Sequence, residues 1–424
     1  MTTMIDIIKA ETGPATGCTE PAAVALASSV AYEQIGGRLL QLQVTTDWGV
    51  YKNGLQCILP GSGYRGLQMA AALGVVARNS SVGLDILKAT STQDEAAALE
   101  LVREGGVSVT RLEDPSELRI EATATSDRGV SRCLIAGHHD SVIEIEVNGT
   151  LVHSKLVEEA TSTLWPSGWG FNEIMAFGRS TPTTDLGFLV DGAKMNHALA
   201  QAGVSGAAGH GAGGTLSRMA SAWDWQNQPD RGVETLVAAA IDARMNGALL
   251  PAWTVSGSGS HGVVATLPIW TVGQWQGIEE SRVARALAIS LLLTIYAKSF
   301  TGALSSLCGS ASAAGAGASG GLCYLLGGDD EAVACSIQTL VAAVGGVICD
   351  GANATCAIKA ATAARIAMTS AQICSSGMRI PPGTGILGRS VDETFRNLGI
   401  LGSDGMRDAN AVILSTMESG EECN

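Results

Sequence analysis

The sequence is poor in charged and in aromatic side chains. Only 16% of its 424 residues are Asp, Glu, Lys or Arg, and only 4% are Phe, Trp or Tyr, whereas about 25% of an average globular protein is charged. Basic residues are outnumbered by acidic ones, 26 against 40, which gives a formal net charge of −14. An acidic chain is repelled by a phosphate backbone and by an anionic membrane surface, so we expect neither nucleic acid nor a membrane as a partner.

Long hydrophobic runs are also missing. The most apolar stretch, residues 286–297, lies between Arg285 and Lys298 and is shorter than the ~20 residues that span a bilayer, so we predict a buried helix there. The opening residues, MTTMIDIIKAETG, carry acidic groups where a secretory signal has a basic region and an apolar run. We therefore expect a cytoplasmic protein whose ten cysteines are thiols, metal ligands or catalytic groups rather than disulfides.

One common catalytic motif is absent. The sequence has no Walker loop, and its absence disfavours phosphoryl transfer. Glycine is instead abundant, with 53 residues, which favours closely packed backbone.

The patterning divides the chain into two regions and predicts a mixed α/β fold. Residues 1–165 alternate helical patterns, such as 3–12 and 92–103, with strand patterns, such as 40–46 and 141–147. Residues 166–424 are predicted to be a mainly helical, glycine-rich catalytic region. The boundary is placed at the segment WPSGWG, interpreted as a linker or an exposed loop. The division can be discontinuous, because Cys18 has to return to the later cysteines. A homodimer is compatible with the sequence.

Four cysteines stand in unusual sequence settings. Cys18 lies in GCTEP, directly before a predicted helix whose N-terminus favours a thiolate. Cys308 lies in SSLCGSASAAG, and Cys349 and Cys356 lie in CDGANATC. The residues between the last two are typical of turns, so the chain can fold back and bring both thiols together. The cysteines at 57, 133, 323, 335 and 374 are expected to be small buried hydrophobes.

The three later cysteines indicate a metal centre. Thiolates suit an iron–sulfur cluster, and three cysteines on a [4Fe-4S] cube leave one open iron that can act as a Lewis acid. A structural zinc ion would need a fourth Cys or His at short spacing, and no histidine lies near these cysteines in sequence. The residues alone leave open that CDGANATC only connects two buried helices.

Four segments together carry a family resemblance. They are GCTEPAAVALA at 17–27, KNGLQCILPGSG at 52–63, DARMNGALLPAWTVSGSGSHG at 242–262 and ICDGANATCAIKAATAA at 348–364. The sequence resembles the L-cysteine desulfidase family, also described as serine-dehydratase alpha-chain-like proteins. The resemblance implies an oxygen-sensitive [4Fe-4S] lyase that needs no pyridoxal phosphate and converts L-cysteine into pyruvate, ammonia and hydrogen sulfide. It also implies that Cys308, Cys349 and Cys356 hold the cluster and that Cys18 accepts the α-proton.

Two glycine-rich loops are candidate sites for the substrate carboxylate, since their backbone N–H groups and hydroxyls can point at an anion. The predicted contacts are Gly61, Ser62 and Gly63 in the first loop and Ser256 and Ser258 in the second.

Three further residues are candidates, each with a structural alternative. His261 can protonate a leaving group or be a hydrogen-bonded structural histidine. Asn53 can offer an amide to the substrate or belong to a K-N-G hairpin turn. Lys359 can offset the negative charge of the cluster or be a solvated helix lysine.

Two alternatives to the cysteine lyase remain. The same open iron and base serve an iron–sulfur dehydratase acting on L-serine or another small β-substituted amino or hydroxy acid. A non-catalytic metal-binding scaffold is the other, although a scaffold needs only some of the four cysteines.

The C-terminal tail contains one more cysteine, Cys423. A terminal cysteine on the open iron would resemble an arrangement in related iron–sulfur L-serine dehydratases. Because an acidic tail is poorly attracted to a thiolate-rich cluster, a solvated, flexible end is the favoured interpretation.

Overall fold

The structure, a computed structural model, describes residues 3–88, 90–113, 117–156, 165–219, 227–302 and 305–421. Within these ranges the helices are α1 (Met4–Glu11), α2 (Thr19–Ile35), α3 (Trp48–Gly54), α4 (Leu67–Ala77), α5 (Thr92–Arg103), α6 (Phe171–Ser180), α7 (Gly187–Val204), α8 (Ala212–Met219), α9 (Pro229–Met245), α10 (Gly259–Trp275), α11 (Glu280–Thr301), α12 (Gly315–Leu325), α13 (Asp330–Val344), α14 (Cys356–Ser375), α15 (Val391–Ile400) and α16 (Arg407–Glu421). The strands are β1 (Thr12–Ala15), β2 (Leu39–Thr46), β3 (Val107–Arg111), β4 (Arg119–Ser126), β5 (Gly129–Ala136), β6 (Val142–Val147), β7 (Thr150–Ser154) and β8 (Ala252–Val255). A mixed α/β region followed by a mainly helical region confirms the predicted fold class.

The N-terminal region is built on a six-stranded sheet in the order β3-β2-β4-β5-β6-β7. Strands β2 and β3 are parallel, and the other neighbours are antiparallel. Every second residue of β4 is buried, as expected for a sheet with one covered face. Helices α2 and α4 pack against each other, and α2 also packs on β4 and β5. Helix α2 is therefore held firmly, and its N-terminus fixes the position of Cys18.

Residues 3–17 join the two regions. Thr3 and Asp6 form a capping box at the start of α1, and β1 then pairs antiparallel with β8. The bend comes at Gly17, whose φ of 73° is left-handed and whose missing side chain leaves room for Pro60. This bend directs the chain into α2 immediately after Cys18.

In the helical region, helices α11 and α12 pack closely against each other. Among the described residues, α11 is the one helix long and apolar enough to cross a membrane, and 83% of its most apolar window is buried inside the fold. The burial expected for residues 286–297 is therefore confirmed. Helix α12 carries much of the glycine-rich stretch, and a Cβ at Gly317 would lie 2.4 Å from the carbonyl oxygen of Ser290 on α11. Glycine here permits a direct approach of two helix backbones.

Two segments with open interpretations have defined local structures. The K-N-G segment does not form the hairpin turn given as an alternative for Asn53, because it lies in α3, which Asp47 caps by accepting the N–H groups of Gly49 and Val50. The WPSGWG segment lies outside the helices and strands with Ser167 and Gly168 exposed, while the Trp165 ring packs against Tyr296 with centroids 4.8 Å apart.

The fold has two large hydrophobic cores. One lies between the sheet and helices α2 and α4. The other lies among the later helices and includes side chains of α1 together with Cys18 and Cys57. The boundary at residue 165 stays a prediction.

Candidate active site

A cavity of about 130 Å³ collects residues from distant parts of the chain. Cys18, Cys308, Cys349 and Cys356 all line it. The four cysteines that the sequence singled out therefore surround one space, although 338 positions separate the first from the last.

Cys18 is the N-cap residue of α2 and is buried. A hydrogen bond from the Cys57 thiol lowers the pKa of Cys18, and the charge of Arg244 and a hydrogen bond from its guanidinium lower it further, against the opposing effect of burial. The position before a helix N-terminus also favours the anion. Groups of the protein itself thus favour the thiolate form of Cys18, although the charge of Glu20 opposes them.

Arg244 is fixed beside Cys18 by two neutral acceptors. Its Nη2 donates to the carbonyl oxygen of Gly17 at 2.7 Å, and its Nη1 donates to the Ser260 hydroxyl at 3.1 Å. The guanidinium comes from α9 and its acceptors come from the turn before α2 and from α10. Three elements therefore converge at this corner of the cavity.

The other three thiols come from two adjoining loops. Cys308 donates its backbone N–H to Val347, and Cys349 donates its own to Ser306, each at 2.8 Å. These bonds align the two loops side by side. The chain then turns back at Gly351, whose φ is 85° and whose Cβ would lie 2.3 Å from the carbonyl oxygen of Lys52. The fold-back predicted between Cys349 and Cys356 is therefore present.

Burial controls the protonation of Cys308 and Cys356. It raises the pKa of Cys308 to about 11 and that of Cys356 to about 12, and neighbouring thiols add to both shifts. Cys356 is the first residue of α14, so desolvation outweighs the expected effect of the helix N-terminus. Without a cation the thiols of Cys308 and Cys356 stay protonated near neutral pH.

Lysines surround this group of thiols. Burial lowers the pKa of Lys298 to about 8, while Cys349 and Cys308 oppose that shift. Lys52 is buried and donates to the Ser305 carbonyl oxygen at 3.2 Å and to Asn410 at 2.7 Å. Positive side chains beside buried thiols are suited to balancing thiolates bound to a metal group.

The donor set fits an iron–sulfur cluster. In the described part of the chain, no three His, Cys, Asp or Glu side chains are gathered tightly enough for a single metal ion. Three thiols more widely spaced around one cavity suit a group of several irons, with each thiol on a different iron. A single zinc ion fits this arrangement less well, because its four ligands must converge at about 2.3 Å.

Four of the predicted substrate contacts line the same cavity: Asn53, Ser256, Ser258 and His261. Ser258 caps α10 by accepting the N–H of His261. Burial, together with Lys298 and Arg244, holds the pKa of His261 well below its usual value. The imidazole is therefore neutral and is not an imidazolium acid.

The Asn53 side chain lies between Glu20 and Cys349. Its amide nitrogen donates to Glu20 at 2.8 Å, and its amide oxygen lies 4.0 Å from the Cys349 sulfur. Helix α3 rather than a hairpin turn gives the side chain this position.

The other four candidates are not brought to the cavity lining: Gly61, Ser62, Gly63 and Lys359. The first glycine loop instead supports its neighbours, since Gly61 donates its N–H to Gly247 at 2.8 Å and the Ser62 hydroxyl accepts that of Tyr64 at 3.0 Å. Lys359 lies 2.5 Å from Asp350, so it ties down the loop between two cluster candidates.

Sequence reasoning missed several residues of this site. Glu20, Arg244 and Lys298 line the cavity, and Cys57 contacts Cys18 rather than serving only as a buried hydrophobe. A usable signal existed for two of them. Arg244 and Lys298 interrupt largely apolar helices at buried positions, where an unpaired charge is costly.

Comparison with known proteins identifies the family of the chain. Residues 83–415 match the family described as serine dehydratase alpha chain. The chain belongs to the serine dehydratase alpha chain family. This confirms the resemblance to serine-dehydratase alpha-chain-like proteins.

Relatives in this family match the chain along its whole length. A UPF0597 protein of Clostridium botulinum is 33% identical over 423 residues, covering 98% of each chain. UPF0597 proteins of Clostridium tetani and Desulfatibacillum aliphaticivorans are each 34% identical, covering 99% and 98% of both chains respectively. Membership of the serine dehydratase alpha chain family is consistent with an iron–sulfur dehydratase or lyase. The relatives' names give no substrate.

Proposed function

We propose that this member of the serine dehydratase alpha chain family is an iron–sulfur lyase that converts L-cysteine into pyruvate, ammonia and hydrogen sulfide. One observation carries the proposal: Cys18, Cys308, Cys349 and Cys356 line one cavity. The substrate is a small amino acid, and the enzyme is proposed to act in the cytoplasm.

The proposal gives the four cysteines two roles. Cys308, Cys349 and Cys356 would hold a [4Fe-4S] cluster. When bound, such a cluster supplies an open iron that acts as a Lewis acid on the substrate. Cys18 would serve as the base, because its pKa is lowered while burial raises that of Cys308 and Cys356.

The elimination then follows from proton and electron movement in the substrate. The Cys18 thiolate takes the α-proton, and the electrons of the Cα–H bond form the Cα=Cβ bond as the Cβ–S bond breaks. Sulfide leaves and is protonated to hydrogen sulfide. The aminoacrylate tautomerises to an imine, and water hydrolyses the imine to pyruvate and ammonia.

The remaining cavity groups orient the substrate. The Ser256–Ser258 turn and the start of α10 present hydroxyl and backbone N–H groups toward the space beside Cys18. Neutral His261 can donate a hydrogen bond but carries no charge to neutralise a carboxylate. Lys298 and Arg244 supply the positive charge instead.

The test is anaerobic cluster reconstitution followed by product analysis. With L-cysteine the enzyme should form pyruvate and sulfide in equal amounts, and the protein should show the visible absorption of an iron–sulfur cluster. Cluster-loaded enzyme that forms no product from any small β-substituted amino or hydroxy acid would refute the lyase and leave a metal-binding scaffold.

The second candidate is the same chemistry on L-serine. The family description favours it, since it names a serine dehydratase. Competing L-cysteine and L-serine in one reaction decides between the two, because the ratio of sulfide to total pyruvate measures the relative kcat/KM. A ratio well below one half at equal concentrations would overturn the cysteine assignment.

A further inference from the structure

The cavity contains a buried carboxylate that has no ion-pair partner among the described residues; burial lowers the pKa of its basic neighbour, His139. Glu20 is only 9% exposed. Its two oxygens accept from neutral donors, the Asn53 amide at 2.8 Å and the Thr19 hydroxyl at 3.4 Å. Among the described ion pairs, none involves Glu20. Since a buried charge is expensive unless it is paired, Glu20 is suited to a cation that arrives with a ligand.

The same cavity contains a buried cation without a carboxylate partner. Arg244 is only 7% exposed, and the acceptors of its Nη groups, Gly17 and Ser260, are uncharged. Its Nε is buried and has no acceptor. No carboxylate of the described residues forms an ion pair with Arg244. The Cys18 sulfur is its anionic neighbour.

The two charges lie on opposite sides of Cys18 along the chain. Arg244 is bonded to Gly17, the residue before Cys18, and Glu20 is the second residue after it. They do not neutralise each other, because no ion pair joins them at 4.0 Å or less. The cavity thus presents a positive group, a thiol and a negative group from Arg244, Cys18 and Glu20.

We propose that Glu20 binds the ammonium group and Arg244 the carboxylate of an α-amino acid, so that Cα–H faces Cys18 between them. The inference rests on the proposed function only in taking Cys18 as the base. It goes beyond the proposed function by naming the residues that recognise the two charged groups of the substrate, and 2-hydroxy acids are rejected because a hydroxyl leaves Glu20 without a cation.

Three unreactive probes separate the two charges. L-Alanine carries both groups, L-lactate lacks the ammonium, and L-alaninamide lacks the carboxylate. None has a β leaving group, so binding to the anaerobically reconstituted enzyme can be measured by calorimetry without turnover. L-Alanine should bind more tightly than either of the others, on the order of 10- to 100-fold, the usual effect of one hydrogen bond to a charged group.

Substitutions at Glu20 and at Arg244 should weaken the binding of different probes. Glu20→Gln keeps the shape of the side chain and its contact with Asn53. It should weaken the binding of L-alanine and L-alaninamide and leave the binding of L-lactate unchanged. Arg244→Gln should weaken the binding of L-alanine and L-lactate and leave the binding of L-alaninamide unchanged. Glu33→Gln, at the other end of α2 and bonded to Ser80, is the matched control and should change none of the three.

Equal losses for all three probes would show that Glu20 and Arg244 are structural, and unchanged binding would show that neither meets the ligand. Either result overturns the proposal. If Arg244→Gln does not fold, Arg244→Lys keeps the charge without the planar fork and should still weaken L-lactate more than L-alaninamide. If the two variants lose different probes but the enzyme does not eliminate sulfide from L-cysteine, only the proposed function is refuted. If the enzyme eliminates sulfide but the variants do not lose different probes, only this inference is refuted.

Discussion

The two walls of the cavity prepare their cysteines in opposite ways. On the wall built by α2, Cys57 and Arg244 lower the pKa of Cys18. On the wall built by the loops before α12 and α14, burial raises the pKa of Cys308 and Cys356. The protein favours the thiolate at Cys18, whereas Cys308 and Cys356 need a metal to displace their protons. Identical side chains can therefore serve as a base and as ligands around one cavity.

The difference comes from the fold around each wall. The α2 wall combines a helix N-terminus with a fixed guanidinium, both of which favour an anion. The loop wall is closed by apolar neighbours such as Ala311 and Ala363, which favour the neutral thiol. Changing single residues on either wall should separate metal binding from proton transfer.

The largest effect is expected on the loop wall. Replacing Cys308, Cys349 or Cys356 singly by Ser should lower bound iron below the four of one cluster and abolish product formation, because each change removes a ligand. Iron analysis and the visible spectrum after reconstitution measure it. Cys374→Ser, a buried cysteine beside Cys335, is the matched control and should keep its iron. Full iron and an unchanged spectrum in all three variants would show that the ligands are elsewhere.

The next effect belongs to Cys18. Cys18→Ala should retain the cluster yet exchange the α-proton of the substrate in deuterated water about 10²- to 10⁴-fold more slowly, the usual contribution of a positioned base. Mass spectrometry of recovered substrate measures the exchange. Cys133→Ala, which removes a buried thiol from the sheet, controls for general damage. Normal turnover by Cys18→Ala would assign the base to another residue.

A smaller effect tests what lowers the pKa of Cys18. Cys57→Ala removes the hydrogen bond to the thiolate, so the pKa of Cys18 should rise and the acidic limb of the kcat/KM profile should move to higher pH. Cys57→Ser keeps a donor and should leave the limb close to its original position. Superimposable profiles for the two variants would mean that Arg244 and the helix N-terminus suffice.

Local signals explain which elements could be predicted from the sequence. Helix α5 occupies the predicted range, 92–103, because Ser91 and Asp94 form a capping box that is readable in sequence. The four cysteines were recognisable because glycine and turn residues surround them. In both cases neighbours within a few positions determine the structure.

Tertiary contacts explain the rest. Nothing near Pro60 in the sequence shows that its ring packs against Gly17, so the position of the first glycine loop beside the turn before Cys18 could not be predicted. Glu20 and Arg244 become meaningful only when their positions in one cavity are known. Two charged residues that are 224 positions apart in the chain and line one cavity leave no local pattern.

The smallest effect is expected at the C-terminal tail. Helix α16 packs over the loop wall, since Asn410 accepts a hydrogen bond from Lys52 and the Met417 methyl group lies near Gly351. Cys423 lies outside the described residues. Deleting residues 421–424 keeps these contacts and the pair of Arg111 with Glu418, and two acidic residues precede Cys423. The truncated and full-length enzymes should therefore give the same progress curves and resting spectra. A lag present only in the full-length enzyme, with a changed resting spectrum, would instead show that Cys423 occupies the open iron until substrate displaces it.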